Sequence, residues 1–383
     1  MGDRSLLRQS SLGHIRTLQH VVILKETASI EQVLKTLAHH KIVSAPVVSN
    51  GAEPGSPHCT WPQNETPKSV AGFIDVKRII NRFLGDIADT DIMKTSSMLK
   101  KMRSLELRGQ EFSKKTIKEL GLTGGDGSFL HVTQDHVSLL ELAGEALLSS
   151  AIRAHAHGEG VTQVVHRVAI FDSNSHIVNI ISQSDIVRYL LENEHEIGDI
   201  KHQDIAALKL GFKPVISVPP EMSAIEALKV VDDNHIGAVA VVNSTGKIIG
   251  NFSAADMRTI TAEHFGSLAL PVGEFLALEH GTEYSGFAIS QADPEVENIS
   301  TSGAQNFARD RESRSRPKTP RHPGAEVGQI LVICKPSDTL LEVMHLLVVN
   351  KVHRIFIVDE EMEPVGVLTC TDILRKLVEL EKC

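Results

Sequence analysis

Thr339-Leu-Leu-Glu342 opens a run that continues through Lys351-Val-His-Arg-Ile-Phe-Ile-Val-Asp359 and ends in Gly366-Val-Leu-Thr-Cys-Thr-Asp372-Ile. The same pieces stand earlier in the same order: Ser223-Ala-Ile-Glu226, then Gly250-Asn-Phe-Ser-Ala-Ala-Asp256. Ser223 and Asp256 are spaced as Thr339 and Asp372 are. A self-similar chain is built from one supersecondary unit used repeatedly, so the repeat must be recognised before any segment is assigned.

Working outward, two further copies fall into register. Each copy begins with a short apolar strand candidate, at 21–24, 130–132, 215–218 and 331–334. Each then reaches a hydroxyl residue with Glu or Gln three positions on: Ser29 and Gln32, Ser138 and Glu141, Ser223 and Glu226, Thr339 and Glu342. That is the capping box, in which two side chains satisfy orphaned backbone donors at a helix start. The helices behind carry apolar residues at matching offsets, such as Ile30, Val33, Leu34 and Leu37, or Leu340, Val343, Met344 and Leu347. This is the one-face pattern of a 3.6-residue period. A second strand (44–48, 168–171, 239–242, 355–358), a third, and a second amphipathic helix (79–84, 186–191, 257–260, 373–378) complete the unit.

The expected fold is α/β of the α+β kind, four strand–helix–strand–strand–helix repeats. One unit of about 55 residues buries too little surface to stand alone, so units should pair and share a core. Repeats are placed at 18–85, 128–195, 205–265 and 326–382. A flexible N-terminus (1–17), a loop insertion (51–69) and linkers at 86–127 and 266–325 lie outside them. The stretch 285–323, with its Arg- and Ser-rich middle, has the low hydrophobicity and dense charge of a disordered tether.

Composition narrows the function classes. At 383 residues the chain suits two ordinary domains, one for each pair of repeats. No apolar run nears the roughly 20 residues that span a bilayer, and Met1-Gly-Asp-Arg-Ser5 has no signal-peptide core. Cys59, Cys334, Cys370 and Cys383 have no metal spacing and read as free thiols of a reducing compartment. A net charge of -9, with two Tyr and one Trp, argues against a nucleic-acid binder. No G-x-S-x-G, G-x-x-x-x-G-K-[ST] or H-E-x-x-H motif is present, so no enzyme activity is expected. His155-Ala-His157 lacks a third metal ligand nearby and reads as a solvated loop. Arg8, three residues before Ser11, gives Leu6-Leu-Arg-Gln-Ser-Ser11 the look of a basophilic kinase site.

Two constellations recur in the repeat frame. The first is the helix-start acid: Ser182-Gln-Ser-Asp185, Ser253-Ala-Ala-Asp256 and Thr369-Cys-Thr-Asp372. A carboxylate fixed there can take the two vicinal hydroxyls of a ribose, or it can serve only as a helix cap. Repeat 1 departs, with Gly72-Phe-Ile-Asp75-Val-Lys-Arg78 placing Arg where the others have Asp. The second is basic: His166-Arg167 and His353-Arg354 share a frame before the second strands, where repeats 1 and 3 have Val43-Ser44 and Gly237-Ala238. Arginine offers a bidentate fork to phosphate, and histidine a further donor.

The pattern resembles the cystathionine-beta-synthase (CBS) domain, which pairs into Bateman modules. Four repeats resemble the gamma regulatory subunit of AMP-activated and sucrose-non-fermenting-related protein kinases, most closely the plant type through residues 351–372. The resemblance implies two modules in a flattened disc with clefts between paired repeats. It implies ribose contacts from Asp185, Asp256 and Asp372, with Ser182, Ser253 and Thr369 lining the same sites. It implies phosphate contacts from His166, Arg167, His353 and Arg354. Asp75 is not carried over, and the occupied sites should differ from those of animal gamma subunits.

The expected function is a non-catalytic regulatory subunit binding AMP, ADP or ATP, with no prosthetic group or metal. Its expected partners are a Ser/Thr kinase catalytic subunit and a beta-type scaffold subunit, in cytoplasm or nucleus. Two alternatives stay open: an assembly subunit with degenerate clefts, and a CBS regulator of another enzyme or transporter.

Overall fold

The computed structural model describes residues 6–15, 21–49, 70–122, 131–133, 137–148, 165–171, 177–280 and 331–381. The insertion at 51–69, the pair His155 and His157 and the tether at 285–323 lie outside these residues. Four three-stranded sheets are present, and each has the same topology. A short first strand runs parallel to the second, and the second pairs antiparallel with the third. Each antiparallel pair carries a register shift at the same place, after Val47, Ile170, Val241 and Ile357.

All four capping boxes form at the first helices, with Ser29, Ser138, Ser223 and Thr339 as caps. The first helix N–H still needs an acceptor, and a strap of backbone from elsewhere supplies it in each repeat. Ile30 donates to the Lys115 carbonyl, Leu139 to Ser10, Ala224 to Leu270 and Leu340 to Gln203. Repeats 1 and 3 are strapped by the segments that follow them. Repeat 2 is strapped by the amino-terminal segment, and repeat 4 by the connection between repeats 2 and 3.

Two large cores and two small ones join the units. Ile30, Leu34, Leu37, Ile79 and Phe83 of repeat 1 pack with Ile225, Leu228, Phe252 and Met257 of repeat 3. Leu142, Ile186 and Leu190 of repeat 2 pack with Met344, Leu347 and Ile373 of repeat 4. Sheets meet separately, Phe73 against Ala169, and Ala240 and Ile248 against Ile333, Phe356 and Val358. Helices therefore join 1 to 3 and 2 to 4, while sheets join 1 to 2 and 3 to 4, and the four units close a ring.

Several segments differ from their expectation. The second helix of repeat 3 is not an amphipathic α-helix but a 3-10 helix, Ala254–Thr259, followed by another, Ala262–Ala269. The β-branched run Thr259-Ile-Thr261 disfavours α-helix there. The linker after repeat 1 contains a long helix, Met98–Lys114, whose Met102, Leu105 and Phe112 are buried. Its Lys- and Arg-rich face hid that apolar stripe. The linker after repeat 3 contains the helix Val272–His280, burying Phe275 and Leu276. Leu6–Gln9 and Leu12–His14, expected to be flexible, sink Leu6, Leu7, Leu12 and Ile15 into the core of repeats 2 and 4.

Candidate functional site

The helix-start acids are placed by local sequence. Ser182, Ser253 and Thr369, not the acids, are the N-cap residues of the second helices. Asp185, Asp256 and Asp372 complete the box, each accepting from the cap's backbone N–H at 2.7–2.9 Å and from its hydroxyl at 2.6–2.9 Å. One oxygen, Oδ2, is thereby used. The other oxygen distinguishes the three. Oδ1 of Asp185 accepts from Arg188, and Oδ1 of Asp372 accepts from Lys213 Nζ at 3.0 Å. Oδ1 of Asp256 receives no hydrogen bond from the described residues. In repeat 1 Asp75 itself is the cap, accepting the Arg78 N–H at 2.7 Å, and the Arg78 guanidinium turns back to the Phe73 carbonyl at 3.2 Å.

Backbone bonds fasten the basic pairs next to these starts. Gln183 N–H donates to the His166 carbonyl at 3.0 Å and Cys370 N–H to His353 at 3.2 Å. Arg167 and Arg354 begin the second strands rather than precede them, opposite Ser182 and Thr369. The side chains then reach across to the partner repeat. Arg354 lies against Gly237 of repeat 3, where a Cβ would stand 2.5 Å from its Nη2. A side chain at position 237 would have to displace the Arg354 guanidinium, the far end of a flexible side chain. Gly237 occupies the frame position of His353.

Burial depresses the affinity of both guanidiniums for their protons, and nearby carboxylates partly restore it. Asp75 and then Asp185 act on Arg167, while Asp256 acts on Arg354. Neither guanidinium makes a side-chain hydrogen bond among the described residues, and Nη1 of Arg354 is fully buried without a partner. An arginine stays charged, so an unbonded buried donor of this kind is complementary to an anion. His166 and His353 lie near both arginines. Solvent reaches over a third of each residue, although protein atoms crowd it on most sides. Crowding first, and then Arg167 and Arg354, push both rings down to about 4, leaving them neutral at pH 7.

Further residues that repeat analysis did not single out complete the neighbourhood. Lys77 of repeat 1 crosses to the Ile236 carbonyl of repeat 3 at 2.9 Å; burial lowers its pKa, and Arg354 lowers it further against Asp75 and Asp232. Lys213 lies in repeat 3 ahead of its first strand, outside the elements that the repeat pattern aligned, so periodicity could not flag it. Ser184 meets His353 Nδ1 at 2.6 Å, and Thr371 bonds Gln183 at 2.7 Å, joining the helix starts of repeats 2 and 4. The signal for Lys77 lay in the departure of repeat 1 from the common pattern. Two surface recesses, bordered by Leu346 and Val349 or by Arg108 and Lys115, lie on outer helices away from this cluster. No group of His, Cys, Asp and Glu fit to hold a metal exists among the described residues.

Two of the four repeats match the CBS domain. The family model covers residues 209–263 and 327–379. Over 223 residues, 56% of this chain and 34% of the relative, the sequence is 24% identical to subunit gamma-3 of the 5'-AMP-activated protein kinase of Sus scrofa. Over 128 residues, 32% of this chain and 23% of the relative, it is 30% identical to protein sds23 of Neosartorya fischeri. The chain thus spans about a quarter to a third of the length of these curated relatives. A crystal structure from Methanocaldococcus jannaschii, described as a candidate archaeal homolog of g-AMPK, shares the fold. It covers 95% of this chain and 99% of its own with a TM-score of 0.56 at 16% identity. The two matched stretches are repeats 3 and 4, the sheet-paired units that carry Asp256 and Arg354.

Proposed function

We propose that this chain is a non-catalytic, adenine-nucleotide-binding regulatory subunit of gamma type. The observation that carries the reading is the meeting of repeats 3 and 4, where Arg354 lies against Gly237 and senses Asp256. One wall holds Asp256 with an uncommitted carboxylate oxygen; the other holds the unbonded guanidinium of Arg354 beside His353. A ligand that offers hydroxyls at one end and phosphate at the other satisfies both walls, as a 5'-nucleotide does. Ser253 lines the same wall as Asp256.

The remaining clefts are less open to the same ligand. Asp372 and Thr369 face Lys213, and Asp185 and Ser182 face Arg188, so a ribose there must share or displace a cation. Arg167 and His166 sense Asp75 of repeat 1, which has Arg78 where the other repeats carry the helix-start acid. One well-formed site with weaker companions follows from these differences. Regulation acts through a partner: nucleotides that bind two conformations unequally shift their populations. The likeness to the gamma-3 subunit supports a Ser/Thr kinase and its scaffold as that partner, in cytoplasm or nucleus. The likeness to protein sds23 favours a second reading, a CBS regulator of a different enzyme.

Calorimetry with AMP, ADP and ATP on wild type and Asp256→Asn tests the site. Asparagine keeps an acceptor for the Ser253 N–H and hydroxyl, whereas Asp256→Ala would remove the capping-box partner of both. Weaker nucleotide binding by Asp256→Asn at unchanged melting temperature is expected; unaltered binding would remove Asp256 from the site. Affinity purification from the native cells separates the partner readings, by recovery of a kinase catalytic subunit or of another enzyme.

A further inference from the structure

We propose that Ser11 is a phosphorylation site, and that phosphate on it unclasps the amino-terminal segment from repeats 2 and 4. Arg8 stands three residues before Ser11 and Leu12 follows it, the order an arginine-directed Ser/Thr kinase reads in an extended peptide. In the folded chain that order is sequestered. Arg8 Nε pairs with Glu381 of the last helix at 3.1 Å, and Leu6, Leu7, Leu12 and Ile15 are buried. Leu12 N–H donates to the Val137 carbonyl at 3.2 Å, Leu139 N–H to Ser10 at 2.8 Å, and the Ser10 hydroxyl meets Tyr189 Oη at 2.8 Å. A kinase can engage the segment only after these contacts open.

Once phosphorylated, the segment cannot return to the same place. Ser11 lies opposite Ser138 in an antiparallel bridge, so their side chains leave the backbones on one face. The Ser138 N–H and hydroxyl both donate to Glu141 Oε2 at 2.9 Å, which holds a carboxylate on that face. His14 turns Nδ1 toward Ser11, accepting its N–H at 3.1 Å with the hydroxyl at 3.2 Å, so a lone pair faces the serine oxygen. A phosphate of charge about -1.5 to -2 meets like charge and a lone pair there. In the transfer, Ser11 Oγ bonds to the γ-phosphorus of ATP held by the kinase. The bond to the β-phosphate oxygen breaks, ADP leaves with that electron pair, and the hydroxyl proton passes to the kinase's base. The consequence is local: the strap on the repeat 2 helix is lost, and Glu381 is released.

The test is phosphorylation of the full chain by an arginine-directed kinase with Mg-ATP. Sites are mapped by mass spectrometry, and hydrogen exchange is followed over residues 6–15 and 137–142. Tyr189→Phe with Glu381→Gln loosens the clasp without touching the kinase's recognition residues. Ser11 should then be modified about tenfold faster than in wild type, the factor that about 1.4 kcal/mol of lost docking contacts gives when the open population limits the reaction. Phosphorylated wild type should lose exchange protection over both segments, and Ser11→Ala should keep it under the same treatment. Phosphate on Ser10 instead, equal rates in the loosened variant, or protection retained by the Ser11 phosphoprotein would each overturn the proposal.

Discussion

Arg354 holds a buried donor nitrogen with no acceptor, and this decides what its replacement should do. A buried polar group left unmade costs about 1–3 kcal/mol, and a hydrogen bond to a charged group contributes about 1.5–3. Arg354→Gln should therefore weaken AMP and ATP by about 1.5–3 kcal/mol while sparing adenosine, which has no phosphate. Without ligand its melting temperature should hold or rise, because an unpartnered charge has been removed. An earlier melt with parallel loss of adenosine would make the residue structural. His166 and His353 give a pH counterpart. Their folded pKa of about 4 lies below the usual 6.5, so the unfolded chain binds more protons between those values. The stability they contribute is present above about pH 6.5 and is lost as pH falls toward 4. Melting temperature should fall across that window, less steeply in His166→Gln with His353→Gln and less steeply with ATP bound. An identical slope in the double variant would contradict it.

At the scale of elements, the crossing of Met98–Lys114 over Ala262–Ala269 depends on Gly109. A Cβ there would stand 2.4 Å from the Phe265 side chain, which is itself fully buried. Overpacking costs about 1–3 kcal/mol, while Gly to Ala in a helix returns at most about 1. Gly109→Ala should thus lower the melting temperature, read by thermal unfolding; a rise would mean that the crossing is looser than described. This element was not legible as part of the fold. Capping boxes and strand spacing are local signals, and they located the units because each box works within four residues. The Met98–Lys114 helix carries Met102, Leu105 and Phe112 among many charges, and no copy of it recurs to lend weight. The straps were equally silent, since a backbone carbonyl such as Lys115 or Gln203 accepts a bond whatever its side chain. At the site, the recurring acids and His-Arg pairs could be read in the repeat frame, but not which repeats share a cleft. That required the sheet contacts, which set Arg354 against Asp256 of the neighbouring repeat rather than against Asp372 of its own.

For the whole molecule, helices joining 1 to 3 and 2 to 4 and sheets joining 1 to 2 and 3 to 4 bring residues of all four repeats into one neighbourhood. Lys77, His166 and His353 all sense Arg354, and Arg354 in turn senses Asp256, so a charge bound beside Arg354 reaches groups of every repeat. If nucleotides fill these sites as proposed, binding at one should alter binding at the others. Native mass spectrometry during titration with AMP, ADP and ATP counts that occupancy directly. The expected result is stoichiometric nucleotide on the folded chain, filled first at one site and abolished at that site by Asp256→Asn with Arg354→Gln. A chain that stays free of nucleotide throughout, or a double variant that binds as wild type does, would contradict the assignment.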